Sequence, residues 1–281
     1  MRQLIIVYLL GAGIAWAGSQ GGTLAGTLPV FAECALLAFA LQWLAYIPAY
    51  LQQTEKFYDL TGSVTYVSCI TLALVLSGHN DPRSILLGAL VALWAIRLGS
   101  FLFSRIRKDG SDSRFDKIKP NPLRFFFTWS LQGLWVLITA ACALAAITAE
   151  QKVSMSYIDL FAIVLWVMGF SIEVIADQQK RNFRKIAGAH AFISTGLWAR
   201  SRHPNYFGEI ILWFGLALLA FPVLSGWQLV TLISPIFVYF LLTKVSGIPI
   251  LDRMAIEKWG LDSEYIAYAK ETSKLILIPP K

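Results

Sequence analysis

Eight strongly apolar runs divide the chain, at about residues 3–17, 28–50, 62–78, 84–104, 125–149, 157–176, 207–224 and 228–243. A helix crossing the hydrocarbon of a bilayer needs about 20 largely apolar residues. Backbone N–H and C=O groups find no water there, so such runs must form helices that satisfy their own hydrogen bonds. Turn formers separate the runs: Ser19-Gln20-Gly21-Gly22, His79-Asn80-Asp81-Pro82-Arg83 and the polar stretch from Arg105 to Pro122. Composition closes the soluble alternative, since 57% of the 281 residues are hydrophobic and only 15% charged. A soluble domain carries about 45–50% and 25%, and disorder fails on the same comparison. The expected fold is all-α, a polytopic transmembrane helix bundle of seven or eight spans forming a single integral membrane domain over residues 1–281. The number turns on the first run: Arg2, a short apolar stretch and Ala15-Trp16-Ala17 before Gly18 also resemble a signal peptide. A retained span is the favoured reading.

Charge placement sets the orientation. With the N-terminus inside, 21 of the 24 Lys and Arg residues fall on one side, leaving Arg83 and Lys152 outside and Arg97 within a span. The positive-inside rule then places the basic loops and the C-terminus in the cytoplasm, with a bacterial inner membrane as the expected location. The net charge of +7 therefore needs no nucleic-acid partner. Cys34, Cys69 and Cys142 lie far apart in apolar runs, and no CxxC or HExxH spacing points to a metal. Gly11-Ala12-Gly13 lacks the strand and acidic residue of a dinucleotide fingerprint and reads as a helix-packing face.

Ionisable groups inside spans are costly and usually face a bundle interior or wet cavity. Glu33, Arg97, Glu173, Asp177 and Glu209 are such groups. Glu173, Asp177 and Arg181 recur at four-residue spacing and can share a helix face, with Lys180 and Arg184 close by. The carboxylates could accept hydrogen bonds from an amide, amine or ribose, and the cations could hold a phosphate. A juxtamembrane basic cluster on anionic lipid heads is the other reading.

The densest chemistry lies in Gly196-Leu197-Trp198 and Ser201-Arg202-His203-Pro204-Asn205-Tyr206-Phe207-Gly208-Glu209. Pro204 suits a helix start, Asn205 and Glu209 fall one turn apart, and Arg202 and His203 precede them at the membrane surface. Together they form a polar wall suited to a large charged cofactor.

This string resembles the C-terminal half of the membrane-bound steroid 5-alpha-reductase and sterol reductase superfamily. Its RHP-x-Y-x-G core also resembles the isoprenylcysteine carboxyl methyltransferases and related phospholipid methyltransferases, while Asn205 and Glu209 look more like the reductases. Lys258-Trp259-Gly260, Tyr265, Tyr268 and Leu277-Ile278-Pro279 resemble the reductase ending, and Thr54 to Gly62 looks like the signature of the DUF1295 branch. The resemblance spans about residues 30–281. It implies an NADPH-dependent reductase with cytoplasmic cofactor-binding loops, substrate-side helices over 30–110 and a cofactor-binding half over 157–281. Cofactor contacts then fall to Arg97, Glu173, Asp177, Arg181, Arg184, Arg202, His203, Asn205, Tyr206, Glu209 and Tyr268. Glu173 stands where the steroid enzymes carry Asn.

The family's Gln-Glu pair aligns with Gln52-Gln53, two positions before Glu55, and its Tyr aligns near Trp94. Reducing an enone needs a hydrogen bond to the carbonyl as enolate charge develops, then a proton at the alpha carbon. The candidates are Tyr66, Tyr58 and a Glu55 kept protonated by burial, with Gln53 orienting them. Tyr58 and Tyr66 also read as interfacial belt aromatics, and Glu55-Lys56 as a loop ion pair. The expected substrate is a hydrophobic steroid or lipid enone arriving from the bilayer, with membrane lipids as the other partners and no metal. A methyltransferase using S-adenosylmethionine and a lipid transporter or binder are the rivals. The former has no phosphate to draw Arg97 and Arg184 together, and no internal repeat supports the latter.

Overall fold

The computed structural model describes residues 1–188 and 191–279, with Asp109 described by its backbone alone; Lys281, counted above among the basic residues, lies outside them. Among the described residues, eight helical segments are long and apolar enough to cross a membrane. The chain is an all-α, multi-pass membrane protein. It divides into two compact units, residues 1–156 with 219–234, and residues 157–218 with 235–281.

The first unit contains α1 (Arg2–Ser19), a short hairpin of β1 (Leu24–Ala25) and β2 (Leu28–Pro29), α2 (Val30–Leu51), α3 (Tyr58–Ser77), α4 (Pro82–Asp109) and α5 (Pro122–Thr148). Helix α5 is its centre, touching α1, α2, α3 and α4. Its buried face is rich in small residues, including Gly133, Ala140, Ala141, Ala143, Ala145 and Ala146. Lipid tails are as apolar as leucine, so membrane helices associate through close van der Waals packing, which small residues permit. The Gly-Ala-Gly face expected on α1 is half realised: Gly11 abuts the Phe39 ring, whereas Gly13 faces open space.

The second unit contains α6 (Tyr157–Ala187), α7 (Pro204–Ala220), α8 (Ile233–Phe240), α9 (Ile248–Trp259) and α10 (Ser263–Glu271), with α7 and α8 each lending two residues to the first unit. At 31 residues, α6 is about 46 Å long against about 30 Å of hydrocarbon. It outruns the apolar segment because Gln, Lys and Arg continue a helix readily in water. The last apolar run is not one α-helix. It comprises a 3₁₀ stretch over Gly226–Leu232, α8, a π turn over Leu241–Val245 and then α9, which Pro249 helps to open.

Helices α6 and α7 meet backbone to backbone. A Cβ on Gly169 would sit 2.5 Å from the Gly208 carbonyl oxygen, and one on Gly208 equally close to that of Gly169. Seven residues on, Gly215 lies against the Ala162 carbonyl and the Trp166 backbone.

In the first unit, the polar link after α4 is anchored by Glu55, whose side chain is 5% exposed. Its carboxylate accepts the Asp112 N–H at 2.7 Å and pairs with Lys119 at 2.5 Å. Burial alone would raise this carboxyl, but those partners outweigh it and hold the group below the ordinary carboxylate value. The expected neutral acid at Glu55 is therefore corrected to an ionised one. Its ion-pair partner is Lys119, across the fold, in place of the neighbouring Lys56.

Two outcomes follow from this packing. Gly208→Ala should destabilise by about 1–3 kcal/mol, because backbone cannot yield to the new methyl, whereas Gly13→Ala should not; thermal unfolding in detergent distinguishes them, and equal midpoints would refute the contact. Lys119→Met should cost about 3 kcal/mol by leaving a buried carboxylate unpaired. Because the folded pKa of Glu55 is depressed, its contribution is full above the unfolded value of 4.5 and fades as pH falls below it. Acid titration of the melting midpoint should show this loss in the wild type and not in Glu55→Gln.

Candidate functional site

The second unit holds a cleft of about 200 Å³ formed by the cytoplasm-ward end of α6, the turn before α7, α9 and α10. Lys180, Arg184, Arg202 and Lys258 line it, against one carboxylate, Asp252. The other wall is aromatic. Phe192 packs within 6 Å of Trp259, Tyr265 and Tyr268, ring centre to ring centre. Lys180 lies over the Trp198 ring and Lys258 over that of Trp259, so cationic charge is displayed on aromatic faces.

Local folding explains these positions. Trp198 anchors the 3₁₀ turn Gly196–Ala199 by donating from Nε1 to the Ala176 carbonyl on α6 at 3.0 Å. Gly196 makes the turn possible, with φ of 66° and the Gln179 side chain close against it. Helix α7 then begins at Pro204, as its sequence predicts. Tyr268 donates its hydroxyl to the Trp198 carbonyl at 2.7 Å, and burial holds that phenol above its usual pKa, so it stays a donor.

His203 is buried, stacks parallel to Tyr206 at 5.7 Å, and lies 3.2 Å by Nε2 from Asp252 Oδ1. Burial pushes its pKa down to about 4; the carboxylate partly opposes this, while Lys180 and Arg202 reinforce it. At neutral pH the imidazole is uncharged. An ionised carboxylate only accepts, so Nε2 carries the proton and Nδ1 is an acceptor. The cleft therefore offers cations for an anion, aromatic faces for a flat ring system and an imidazole acceptor for a hydroxyl.

Of the expected site residues, Arg184, Arg202, His203 and Tyr268 line this cleft. Asn205 and Asp177 are joined, Nδ2 donating to Oδ1 at 3.2 Å, and Glu173 is buried one turn before Asp177. Tyr206 contributes through its stack on His203, and Glu209 is half-buried one turn further along α7. Arg181 is exposed and bonded to Gln178 Oε1, so Lys180 takes the cleft position expected of it. Helix geometry gives the reason: Glu173 and Asp177 face inward, and the cleft opens a third of a turn away, on the face of Lys180 and Arg184.

Arg97 belongs to the first unit, where its guanidinium lies over the Phe101 ring at 5.4 Å. Gln53 is exposed, has φ of 49° and spends its side chain on the Tyr50 carbonyl. It ends α2 and does not orient Glu55 or Tyr66. Tyr58 donates its hydroxyl to the Thr128 carbonyl at 3.0 Å, inside an aromatic cluster with Phe115 and Trp129. Tyr66 packs edge-on against Trp94 at 5.2 Å. The sequence reading missed Asp252 and Phe192. Asp252 had one available signal, since it is the first acid after Glu209; Phe192 had none.

Comparison with known proteins places the chain. It matches the family described as "Protein of unknown function (DUF1295)" over residues 45–272. An uncharacterized protein of Schizosaccharomyces pombe is 24% identical over 224 residues, covering 67% of this chain and 63% of that protein. The match thus spans less than two thirds of the relative's length. No solved structure matches. The chain belongs to the DUF1295 family of steroid 5-alpha-reductase-like membrane proteins.

Proposed function

We propose that the chain is a membrane reductase that uses NADPH to reduce the C=C bond of a hydrophobic enone, with a 3-oxo-4-ene steroid or related lipid as the substrate class. The observation that carries this reading is the cleft of the second unit, where four cations and an aromatic wall surround one carboxylate. An anionic nucleotide suits that donor set: Lys180, Arg184, Arg202 and Lys258 would meet phosphate, and Phe192, Trp259 and Tyr265 a base. At about 200 Å³, the cleft is below the ~300–1,000 Å³ usual for a whole ligand, so it accommodates part of a dinucleotide. S-adenosylmethionine carries a sulfonium and no phosphate, and the cationic rim disfavours it.

When bound, NADPH supplies a hydride. The chain must then stabilise the charge that develops on the substrate's carbonyl oxygen. Glu55 is ionised and has no proton to donate, and the Tyr58 hydroxyl is committed to the Thr128 carbonyl. The hydrogen bond to the carbonyl is therefore assigned to Tyr66. Hydride adds to the beta carbon, the electron pair moves to the oxygen, and a proton from solvent completes the alpha carbon.

Ligand-dependent thermal stabilisation in detergent tests the cofactor. NADPH at 100 times its Kd should stabilise by about 2.7 kcal/mol, and S-adenosylmethionine should not. Stabilisation by S-adenosylmethionine alone would replace the reductase with a methyltransferase, and stabilisation by neither would favour a lipid binder or transporter. Lys180→Met with Arg184→Met should weaken NADPH binding at least tenfold. Tyr66→Phe should lower enone-dependent NADPH oxidation about 100-fold, the scale of one such donor, with NADPH affinity unchanged; normal turnover would remove Tyr66 from the mechanism.

A further inference from the structure

The turn Ser201–His203 carries a cleft cation and the cleft imidazole, yet belongs to no helix. The segment after α10 holds it. Arg202 N–H donates to the Ser273 carbonyl at 2.8 Å, and the Ser201 hydroxyl to that of Leu275 at 2.7 Å. Between those anchors, Lys274 places Nζ 3.0 Å from Asp252 Oδ2. The other oxygen, Oδ1, accepts from His203 and lies 3.7 Å from Arg202 Nη1. One carboxylate thus faces the cleft residues with one oxygen and the tail with the other. Lys274 is 56% exposed, does not line the cleft and lies beyond the matched segment 45–272.

We infer that Lys274 is a positioning residue for the nucleotide cleft: from the tail it holds the Asp252 carboxylate that keeps His203 oriented with Nδ1 as an acceptor for a ligand hydroxyl of the ribose type. This rests on the nucleotide reading above. The charged and titratable groups around His203 are Lys180 from α6, Arg202 from its own turn, Asp252 from α9, Lys274 through Asp252, and the stacked Tyr206 of α7. Without Lys274 the negative charge of Asp252 is less compensated. His203 then protonates more readily, its midpoint rising from about 4 towards the ordinary 6.5. A protonated His203 loses the Nδ1 acceptor and gains attraction for phosphate.

The test is NADPH affinity from pH 5 to 8, measured on the full chain in detergent by quenching of tryptophan fluorescence, for wild type, Lys274→Met and Lys274→Arg. The variant-to-wild-type ratio cancels the phosphate ionisation of NADPH itself. Lys274→Met should bind three- to tenfold more weakly at pH 7.5, with the deficit narrowing as pH falls below 6.5, and Lys274→Arg should restore both affinity and profile. An unchanged affinity, or a deficit equal at every pH, would overturn the positioning role while leaving the nucleotide reading intact. Failure of the wild type to bind NADPH would overturn both.

Discussion

Gly169 and Gly208 bring α6 and α7 into backbone contact, and the polar end of the second unit is built on that crossing. In hydrocarbon there is no hydrophobic gain from merely bringing helices together, so the approach must be close enough for dispersion to hold it. With the crossing set, Glu173 and Asp177 on one helix and Asn205 on the other lie at the height where the Asn205–Asp177 bond forms. The same helix carries Lys180 and Arg184 one to two turns further into water. A side chain at either glycine would separate the two helices and the groups they carry.

Within the cleft, burial and charge act against each other on His203. Desolvation removes its charge, although an aspartate sits within hydrogen-bond distance. That aspartate is shared among Arg202, His203 and Lys274, so its field at the imidazole is too diluted to win. A neutral imidazole beside several cations is the outcome: the cations attract an anion, and the imidazole accepts a hydrogen bond that none of them can accept.

Glu55 shows the opposite balance. It is nearly as buried as His203, yet it stays charged, because Lys119 and the Asp112 N–H both stabilise the anion. The sequence placed Glu55 beside Lys56 and hid Lys119, which lies 64 residues away. Burial was foreseeable from the surrounding apolar residues; the compensating partner was not. Gln53 is a similar case. Its neighbourhood suggested catalysis, whereas its left-handed backbone shows a helix terminator.

Hydrophobic run length, turn residues and the scarcity of charge determined by themselves that this chain is a polytopic helix bundle, because solvation in hydrocarbon acts on each segment independently of its neighbours. The start of α7 at Pro204 and the concentration of polar chemistry around Arg202–Glu209 were legible for the same local reason. Only the tertiary structure decided that Lys180 and not Arg181 enters the cleft, that Asp252 and Phe192 belong to it, and that the tail braces it. Those facts depend on which helix faces meet and on the field of charges distant in sequence, and pairwise distance is a quantity that periodicity along one chain does not contain.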